Sequence, residues 1–227
     1  MLAVRALVLP SPFLPELAYE PWTAALRDAG LDAVVAPVPW PPSAADVVSA
    51  WSSLARHETL LLPHSNAGYL VPLVSAAVDD APVVFVDAAV PDPGATTRLA
   101  PWRFRDFLAD LADVDGLLPP WTRWWPRQEY SAVMSDEWFE RIDAAAPRVP
   151  LSYVDTEVVL PPGWPHGSCA YLAFGDTYAE ELGRAERAGW PTRRLGGGHL
   201  HWLAEPEDTA AALMDLVRAA GFSTLPR

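Results

Sequence analysis

Two turns far apart in the sequence carry residue types that could form a catalytic pair. Ser65 follows the short apolar run 59–62 and precedes a helix-like segment from residue 66 to about 78, which predicts a strand, a tight turn and a helix. In that arrangement the Ser65 hydroxyl lies at the C-terminal edge of the sheet, where the helix N-terminus presents backbone N–H groups to a developing oxyanion. His199 stands in a glycine-rich loop before the last helix, and an imidazole can accept the serine proton and return it near neutral pH. These two residues predict nucleophilic catalysis by an activated serine.

Short apolar runs alternate with helix-like segments along most of the chain. The runs are continuous rather than alternating in hydropathy, which is typical of parallel strands that are buried on both faces. Four of them precede residue 91, at residues 4–9, 31–38, 59–62 and 82–86. The same rhythm returns after residue 168 and ends in a helix that begins at Pro206. The sequence therefore predicts an α/β fold with an open parallel sheet and helices on both faces.

The alternation stops between residues 91 and 167, a stretch that is rich in Pro and aromatic residues. It holds helix-like pieces near residues 102–112 and 135–145, but it is too short and too rich in Pro to form a core of its own. We therefore predict a core built from residues 1–90 and 168–227, with residues 91–167 as a lid insertion packed over one end of the sheet.

Three tryptophans of this insertion, Trp121, Trp124 and Trp125, are close enough in sequence to form an aromatic wall above Ser65 and contact a substrate. The alternative is that these side chains only attach an irregular lid to the sheet. An apolar pocket would disfavour charged or sugar-like substrates, because few polar groups would replace the water that such substrates lose. We therefore expect an apolar acyl or aryl substrate.

Composition excludes several classes of protein. The formal net charge of −13 argues against binding to nucleic acids and to anionic membranes. All 16 basic residues are Arg, which excludes pyridoxal-phosphate enzymes, Schiff-base aldolases and P-loop NTPases, since each needs a Lys. The single Cys169 excludes thiolate zinc sites, and the five His show no metal-ligand spacing, so we expect neither a metal nor a cofactor. The N-terminal apolar stretch lacks a basic leader and a cleavage site, which predicts a cytoplasmic protein.

The turn around Ser65 resembles the nucleophile elbow of the α/β-hydrolase superfamily, whose usual pattern is G-x-S-x-G. Residues 63–67 read P-H-S-N-A, with Ala in the second glycine position and a larger change, Pro63, in the first. Residues 197–207 are similar to members of the superfamily in which G-G-H precedes a terminal P-E helix. The resemblance covers nearly the whole chain. It implies a compact α/β-hydrolase fold that lacks the first two strands and has six parallel strands in the order 2-1-3-4-5-6.

The resemblance also implies roles for individual residues. His199 occupies the position of the general base, with His201 as the alternative. The superfamily carries its acid at the end of either of two strands, which here correspond to Asp87 and Asp176. A buried apolar strand gives little reason for an unpaired carboxylate at its end, which favours Asp87, whereas Asp176 could simply cap the helix that follows.

An oxyanion hole needs two N–H donors. By analogy with the superfamily, the first is the N–H of Asn66, directly after the nucleophile. The second is expected from the loop after the first strand, where Pro12 has no N–H, so that Phe13 is favoured and Leu14 is the alternative. We also expect the side chain of His64, next to the nucleophile, to contact the substrate.

These features predict a serine hydrolase for a small to medium apolar ester or thioester, with Ser65, His199 and Asp87 as a catalytic triad. One alternative keeps the fold without hydrolysis, as a lyase, cyclase or acyltransferase of specialised metabolism, and it is motivated by the altered oxyanion loop and by Pro63. A second alternative is a non-catalytic protein that binds a small molecule beneath the insertion. In each case the expected partner is a small apolar molecule, and the oligomeric state is left open.

Overall fold

The computed structural model describes residues 4–56, 58–94, 96–165 and 168–222. Within these ranges the strands are β1 (Val4–Leu9), β2 (Leu31–Val35), β3 (Leu60–Ser65), β4 (Val83–Ala88), β5 (Thr96–Arg98), β6 (Glu157–Val159), β7 (Cys169–Phe174) and β8 (Thr192–Leu195). The α-helices of the same ranges are α1 (Glu20–Asp28), α2 (Ala44–Leu54), α3 (Val71–Ala76), α4 (Trp102–Leu111), α5 (Asp136–Ala145), α6 (Leu151–Val154), α7 (Ala179–Arg187) and α8 (Pro206–Ala219).

The centre of the described structure is a parallel sheet of six strands in the order β2-β1-β3-β4-β7-β8. Numbering only the strands of this sheet gives 2-1-3-4-5-6, which confirms the predicted order. Every residue of β3, β4 and β7 is buried, as expected for strands that are covered on both faces. The direction of chain travel across the sheet reverses between β1 and β3. Open α/β sheets bind their ligands beyond the carboxyl ends of the strands at such a reversal.

Helices cover both faces of this sheet, as predicted. Right-handed crossovers place a helix on one face when the chain moves across the sheet in one direction, and on the other face when it moves back. The chain passes from β1 to β2 through α1 and returns to β3 and β4 through α2 and α3. In agreement with this rule, α1 packs against α8, whereas α2 packs against α3. No helix within the described ranges is long and apolar enough to cross a bilayer.

The segment predicted as one helix from residue 66 to about 78 is instead divided in two. It begins with a 3-10 turn at Asn66–Tyr69 and continues as the short helix α3. Pro72 explains the break, because proline has no N–H with which to donate to the carbonyl four residues earlier. At the start of α3 the same residue is well accommodated, since the first amides of a helix have no partner within it.

The chain between β4 and β7 leaves the parallel sheet and returns to it. Strands β5 and β6 pair antiparallel near the two ends of this excursion, with Thr97 opposite Val158. Between them lie α4 and α5, which begin within one residue of the two pieces predicted as helices. Ser135 caps α5 by accepting a hydrogen bond from the N–H of Trp138. The β5–β6 pair thus holds the two ends of the excursion side by side.

Candidate active site

Ser65 is the last residue of β3 and has a backbone conformation that L-amino acids rarely adopt. Its φ is 57° and its ψ is −124°, and the register between β3 and β4 shifts at this point. A non-glycine residue in such a region costs about 1–3 kcal/mol, which the surrounding structure must supply. The residue is 8% exposed, and it lines a cavity at the carboxyl edge of the sheet. The sharp turn therefore presents one hydroxyl to the cavity, as the sequence pattern predicts.

The turn is supported by close packing against the end of β4. The N–H of Ala89 donates to the carbonyl of Ser65 over 3.0 Å. A Cβ on Gly68 would lie 1.9 Å from the carbonyl oxygen of Ala89, so that only glycine fits there. Pro63 pairs with Leu9 as a regular member of β3, and Ala67 is fully buried. The two departures from the glycine pattern are thus accommodated without loss of the turn.

His199 and Asp87 form a hydrogen-bonded pair at the same edge of the sheet. The Nδ1 atom of His199 lies 2.7 Å from Oδ2 of Asp87. The carboxylate is 0% exposed, and its second oxygen, Oδ1, accepts a hydrogen bond of 2.9 Å from the N–H of Phe174. A buried carboxylate needs such partners, and both donors here reach it from neighbouring elements. Because Nδ1 is occupied by Asp87, Nε2 is the ring atom left for proton exchange.

The backbone at Asp87 is also held in an unusual conformation. Its φ is 42°, in the left-handed region. The hydroxyl of Tyr171 accepts from the N–H of Ala88 over 3.0 Å and donates to the carbonyl of Ala88 over 2.7 Å. A single phenol from β7 thereby secures both polar groups of the residue after Asp87. This explains how the end of an apolar strand can aim a carboxylate at the imidazole.

The two alternatives left open by the sequence have other partners. Asp176 has an 80% exposed side chain and is paired with Arg194 over 2.5 Å, so its carboxylate is directed to solvent rather than to an imidazole. The ring of His201 packs against Phe174, with 5.6 Å between ring centroids, and it does not line the cavity. The imidazole and carboxylate that the structure brings together are those of His199 and Asp87.

Tyr178 is a polar neighbour of Ser65 that sequence reasoning missed. Its hydroxyl lies 3.3 Å from Ser65 Oγ, and its ring centroid is 5.5 Å from that of His199. Burial raises the pKa of the Tyr178 hydroxyl above its usual value, so the group keeps its proton and can donate it in a hydrogen bond. The available signal was its place just after β7, at the edge where catalytic residues gather. Tyrosine in a loop is too common for that place alone to have identified it.

The predicted oxyanion donors, Asn66 and Phe13, both line the cavity. Among the hydrogen bonds of the described residues, the backbone N–H of neither residue has an acceptor. The N–H of Leu14 donates to the carbonyl of Ser11 over 3.0 Å, which removes the alternative donor. The side chain of Asn66 is held by the Tyr153 hydroxyl, which donates to Oδ1 over 2.9 Å. This loop and turn therefore leave two amides, at residues that line the cavity, without an acceptor among the described residues.

The cavity has a volume of about 820 Å³, and eight of the described residues that line it are Phe, Tyr or Trp. Trp121, Trp124 and Trp125 all line it, and the ring centroid of Trp121 lies 6.0 Å from that of His199. The aromatic side chains of the wall are Phe13, Tyr69, Phe104, Trp121, Trp124, Trp125, Tyr130 and Tyr178. Most of them belong to the excursion between β4 and β7, so this segment forms one side of the space above Ser65.

The wall is less apolar than its tryptophans suggested. The acidic residues Glu129, Asp176, Glu180 and Glu181 also line the cavity, and no Arg does so among the described residues. Burial raises the pKa of Glu181, because the charged carboxylate is desolvated there. No group of three or more His, Cys, Asp or Glu in the described ranges is arranged to hold a metal ion.

The structure does not place His64 at the cavity, where the sequence predicts a contact with substrate. Its ring is fully buried and does not line the cavity. Nδ1 lies 2.9 Å from the Tyr19 hydroxyl, and Nε2 lies 3.2 Å from the backbone carbonyl of His199. Successive residues of a strand point to opposite faces, so a neighbour of Ser65 within β3 is directed away from the cavity.

Comparison with known proteins rests on structure. No protein-family model matches the chain, and no curated protein matches it in sequence. Among solved structures, an extracellular α/β-hydrolase from a Paenibacillus species is similar, with a TM-score of 0.73 and 16% identity, covering 95% of this chain and 99% of that one. That protein is described as sharing structural and functional homology with tobacco salicylic acid binding protein 2.

Two further structures show the same likeness. Polyneuridine aldehyde esterase has a TM-score of 0.70 and 14% identity, covering 95% of this chain and 99% of that one. Tomato methylketone synthase I, solved with 2-tridecanone, has a TM-score of 0.72 and 13% identity, covering 97% and 100%. Similarity at these identities establishes the architecture. The chain has the α/β-hydrolase fold.

Proposed function

We propose that this protein is a serine hydrolase for a small to medium apolar ester or thioester, with Ser65 as nucleophile, His199 as general base and Asp87 as the carboxylate that orients the base. One observation carries the proposal: a buried carboxylate is hydrogen-bonded to an imidazole that lines the same cavity as a strained, cavity-facing serine. Polyneuridine aldehyde esterase, which shares the fold, is an esterase by name and lends support to this reaction class.

Acylation would begin when Ser65 Oγ attacks the carbonyl carbon of the ester and Nε2 of His199 takes the hydroxyl proton. Asp87 stabilises the resulting imidazolium and keeps the ring in the required tautomer. The negative charge that develops on the carbonyl oxygen is stabilised by the N–H groups of Asn66 and Phe13. When the tetrahedral intermediate collapses, the leaving alkoxide or thiolate takes the proton from His199, and the acyl group stays on Ser65.

Deacylation repeats these steps with water. His199 removes a proton from a water molecule, which attacks the acyl carbon and forms a second tetrahedral intermediate in the same oxyanion site. Its collapse releases the carboxylic acid and returns the proton to Ser65 Oγ. The residues used are the same in both halves, so hydrolysis needs no group beyond those at the site.

The substrate class follows from the wall of the cavity. Aromatic side chains of residues 91–167 would act as a lid over Ser65 and favour an acyl or aryl group that gains from leaving water. The carboxylates in the lining would repel an anionic substrate. A neutral, apolar ester or thioester meets both conditions.

Labelling with a fluorophosphonate tests the nucleophile directly, because the probe forms a covalent bond only with an activated serine. We expect the parent protein to be labelled at Ser65, which mass spectrometry of the peptide would locate, and the Ser65→Ala variant to be unlabelled. Ser75→Ala, which removes a fully buried hydroxyl outside the cavity, is the matched control and should label like the parent. An unlabelled parent protein would instead favour the alternative of a non-catalytic protein that binds a small molecule.

Reaction in water enriched in oxygen-18 separates hydrolysis from the alternatives. A serine hydrolase incorporates one labelled oxygen into the carboxylic acid that is released from the acyl-enzyme. A lyase or cyclase gives a product without that oxygen, and an acyltransferase transfers the acyl group to an acceptor other than water. Failure to find the labelled acid with any neutral ester would overturn hydrolysis while leaving the fold assignment intact.

A further inference from the structure

Beneath the candidate site lies a chain of buried hydrogen bonds that the proposed mechanism does not use. The N–H of Ser11 lies 2.8 Å from the Tyr19 hydroxyl oxygen, which in turn lies 2.9 Å from Nδ1 of His64. Nε2 of His64 lies 3.2 Å from the carbonyl oxygen of His199. Tyr19 and His64 are both fully buried. This chain of hydrogen bonds therefore runs from the loop after β1 to the loop that carries the proposed base.

The direction of every bond in this chain follows from its ends. The carbonyl of His199 has only lone pairs, so Nε2 of His64 must carry the hydrogen. Burial and the nearby His199 hold the pKa of His64 well below its usual value, so the ring is neutral and Nδ1 accepts. The Tyr19 hydroxyl must then donate to Nδ1, and its oxygen accepts from the N–H of Ser11. Each donor then has one acceptor, and only the His64 tautomer with its hydrogen on Nε2 satisfies all of these bonds.

The surroundings of this chain are aromatic. The Trp202 ring stacks on the ring of Tyr19, with 5.5 Å between centroids, and meets the His64 ring edge-on at 4.6 Å. In such a setting apolar side chains of similar volume would pack as well, because buried hydrogen bonds add little net stability over well-packed apolar replacements. The polar groups are therefore better explained by the position they impose on the backbone than by the stability they add.

We propose that Tyr19 and His64 are positioning residues, which fix the backbone of His199 relative to the loop that carries the second oxyanion donor and so hold the imidazole within reach of Ser65. This inference rests on the proposed function, because it assigns the two residues to the base and the oxyanion site of that reaction. It accounts for a histidine directly before the nucleophile that does not face the cavity. It also joins two loops that are separated by most of the chain.

Replacement of His64 by two side chains of different polarity tests this role. His64→Gln offers an N–H to the carbonyl of His199 and an oxygen to the Tyr19 hydroxyl, whereas His64→Leu offers neither. We expect kcat of the Leu variant with a neutral ester to fall about 100-fold with little change in KM, because a displacement of the base by about 1 Å has that effect. The Gln variant should recover most of the loss. Tyr19→Phe should resemble the Leu variant, since it leaves Nδ1 of His64 without a donor.

Controls separate positioning from general destabilisation. Ser75→Ala loses a buried hydrogen bond of 2.8 Å outside the site and reports the effect of such a loss on kcat at a temperature where all variants are folded by circular dichroism. Nitrogen NMR of the imidazole rings gives a second measurement that does not depend on activity. We expect His64 to remain neutral, with its hydrogen on Nε2, over the pH range in which a free imidazole titrates.

The outcomes are distinct. Equal kcat values for the Gln and Leu variants of His64 would overturn the positioning role, and so would a Leu variant as active as Ser75→Ala. In either case, fluorophosphonate labelling of Ser65 would still support the proposed hydrolase. A His64 ring that carries hydrogen on Nδ1 in this pH range would overturn the bond directions on which the role depends. If fluorophosphonates do not label the parent protein, the proposed function is overturned, and this inference is overturned with it.

Discussion

Asp87 and His199 are joined by one hydrogen bond of 2.7 Å although 112 positions separate them in the sequence. Asp87 lies at the C-terminal end of the central strand β4, and His199 follows the edge strand β8. Because all six strands are parallel, both ends reach the same edge of the sheet. The pair is thus a product of the topology, and its effect on activity can be tested separately from that of Ser65.

Asp87→Asn should leave a folded protein with a large loss of activity. An amide can donate to Nδ1 of His199, which favours the tautomer with hydrogen on Nε2 and blocks uptake of the serine proton, so kcat should fall by about 10⁴-fold. Steady-state kinetics with a neutral p-nitrophenyl ester measures the effect. Asp176→Asn is the matched control, because that exposed carboxylate lines the cavity but is paired with Arg194. A larger loss of kcat in Asp176→Asn than in Asp87→Asn would assign the role of the acid to Asp176.

Tyr178→Phe should lower kcat by about tenfold, the effect of losing one hydrogen bond of roughly 1.4 kcal/mol at the nucleophile. The hydroxyl lies 3.3 Å from Ser65 Oγ and helps to hold that oxygen in the cavity. Tyr69→Phe is the control, since Tyr69 lines the same cavity and, like Tyr178, is partly buried. Fluorophosphonate labelling rates should change in parallel with kcat. An unchanged labelling rate and kcat in Tyr178→Phe would show that the contact between Tyr178 and Ser65 has no role in activity.

Trp125→Ala should weaken any preference for long or aromatic acyl groups. Trp125 lines the cavity and is 37% exposed, so its truncation disturbs the fold less than that of the buried Trp121 or Trp124. The measurement is kcat/KM for p-nitrophenyl esters of increasing chain length. Trp102→Ala, which removes another exposed tryptophan from the same segment but not from the cavity, should keep the parent profile. Identical chain-length profiles in the Trp125→Ala and Trp102→Ala variants would show that Trp125 has only a packing role.

Glu181→Gln should make the protein more stable at neutral pH. Burial raises the pKa of Glu181 in the folded state, so the folded protein holds that proton more tightly than the unfolded chain does. The stabilisation from this group is fully present below the unfolded pKa of about 4.3 and is lost as the pH rises through the folded pKa. Melting temperatures at pH 7 and near pH 4 should show a gain for Glu181→Gln only at the higher pH. The exposed neighbour, Glu180→Gln, should show no such pattern.

The sheet, and the placement of Ser65, Asp87 and His199 at one edge of it, could be predicted because both depend on local patterns. Continuous apolar runs indicate parallel strands, and residues that follow such strands share one edge of the sheet. Ser65 and Asp87 lie at the C-terminal ends of β3 and β4, and His199 lies in the loop after β8. The choice of Asp87 over Asp176 followed from the cost of burying an unpaired carboxylate.

Contacts between side chains could not be predicted in the same way. The place of Tyr178 beside Ser65 and that of Tyr19 beside His64 depend on how loops fold over the sheet, and no spacing in the sequence encodes those distances. His64 was assigned to the substrate because it adjoins Ser65 in sequence. Adjacency in a strand instead places neighbouring side chains on opposite faces.

The antiparallel pairing of β5 with β6 has a consequence for how this protein could diversify. Arg98 and Glu157, at the inner ends of the two strands, are also joined by an ion pair of 2.8 Å. A segment whose two ends are already bonded to each other can be lengthened at small entropic cost, since each doubling of its length adds only about 0.6 kcal/mol. Changes in the length of the stretch between Arg98 and Glu157 should therefore cost little free energy while its two ends stay paired. Substrate range could evolve there by replacement of whole segments while the strands that carry Ser65 and Asp87 stay in place.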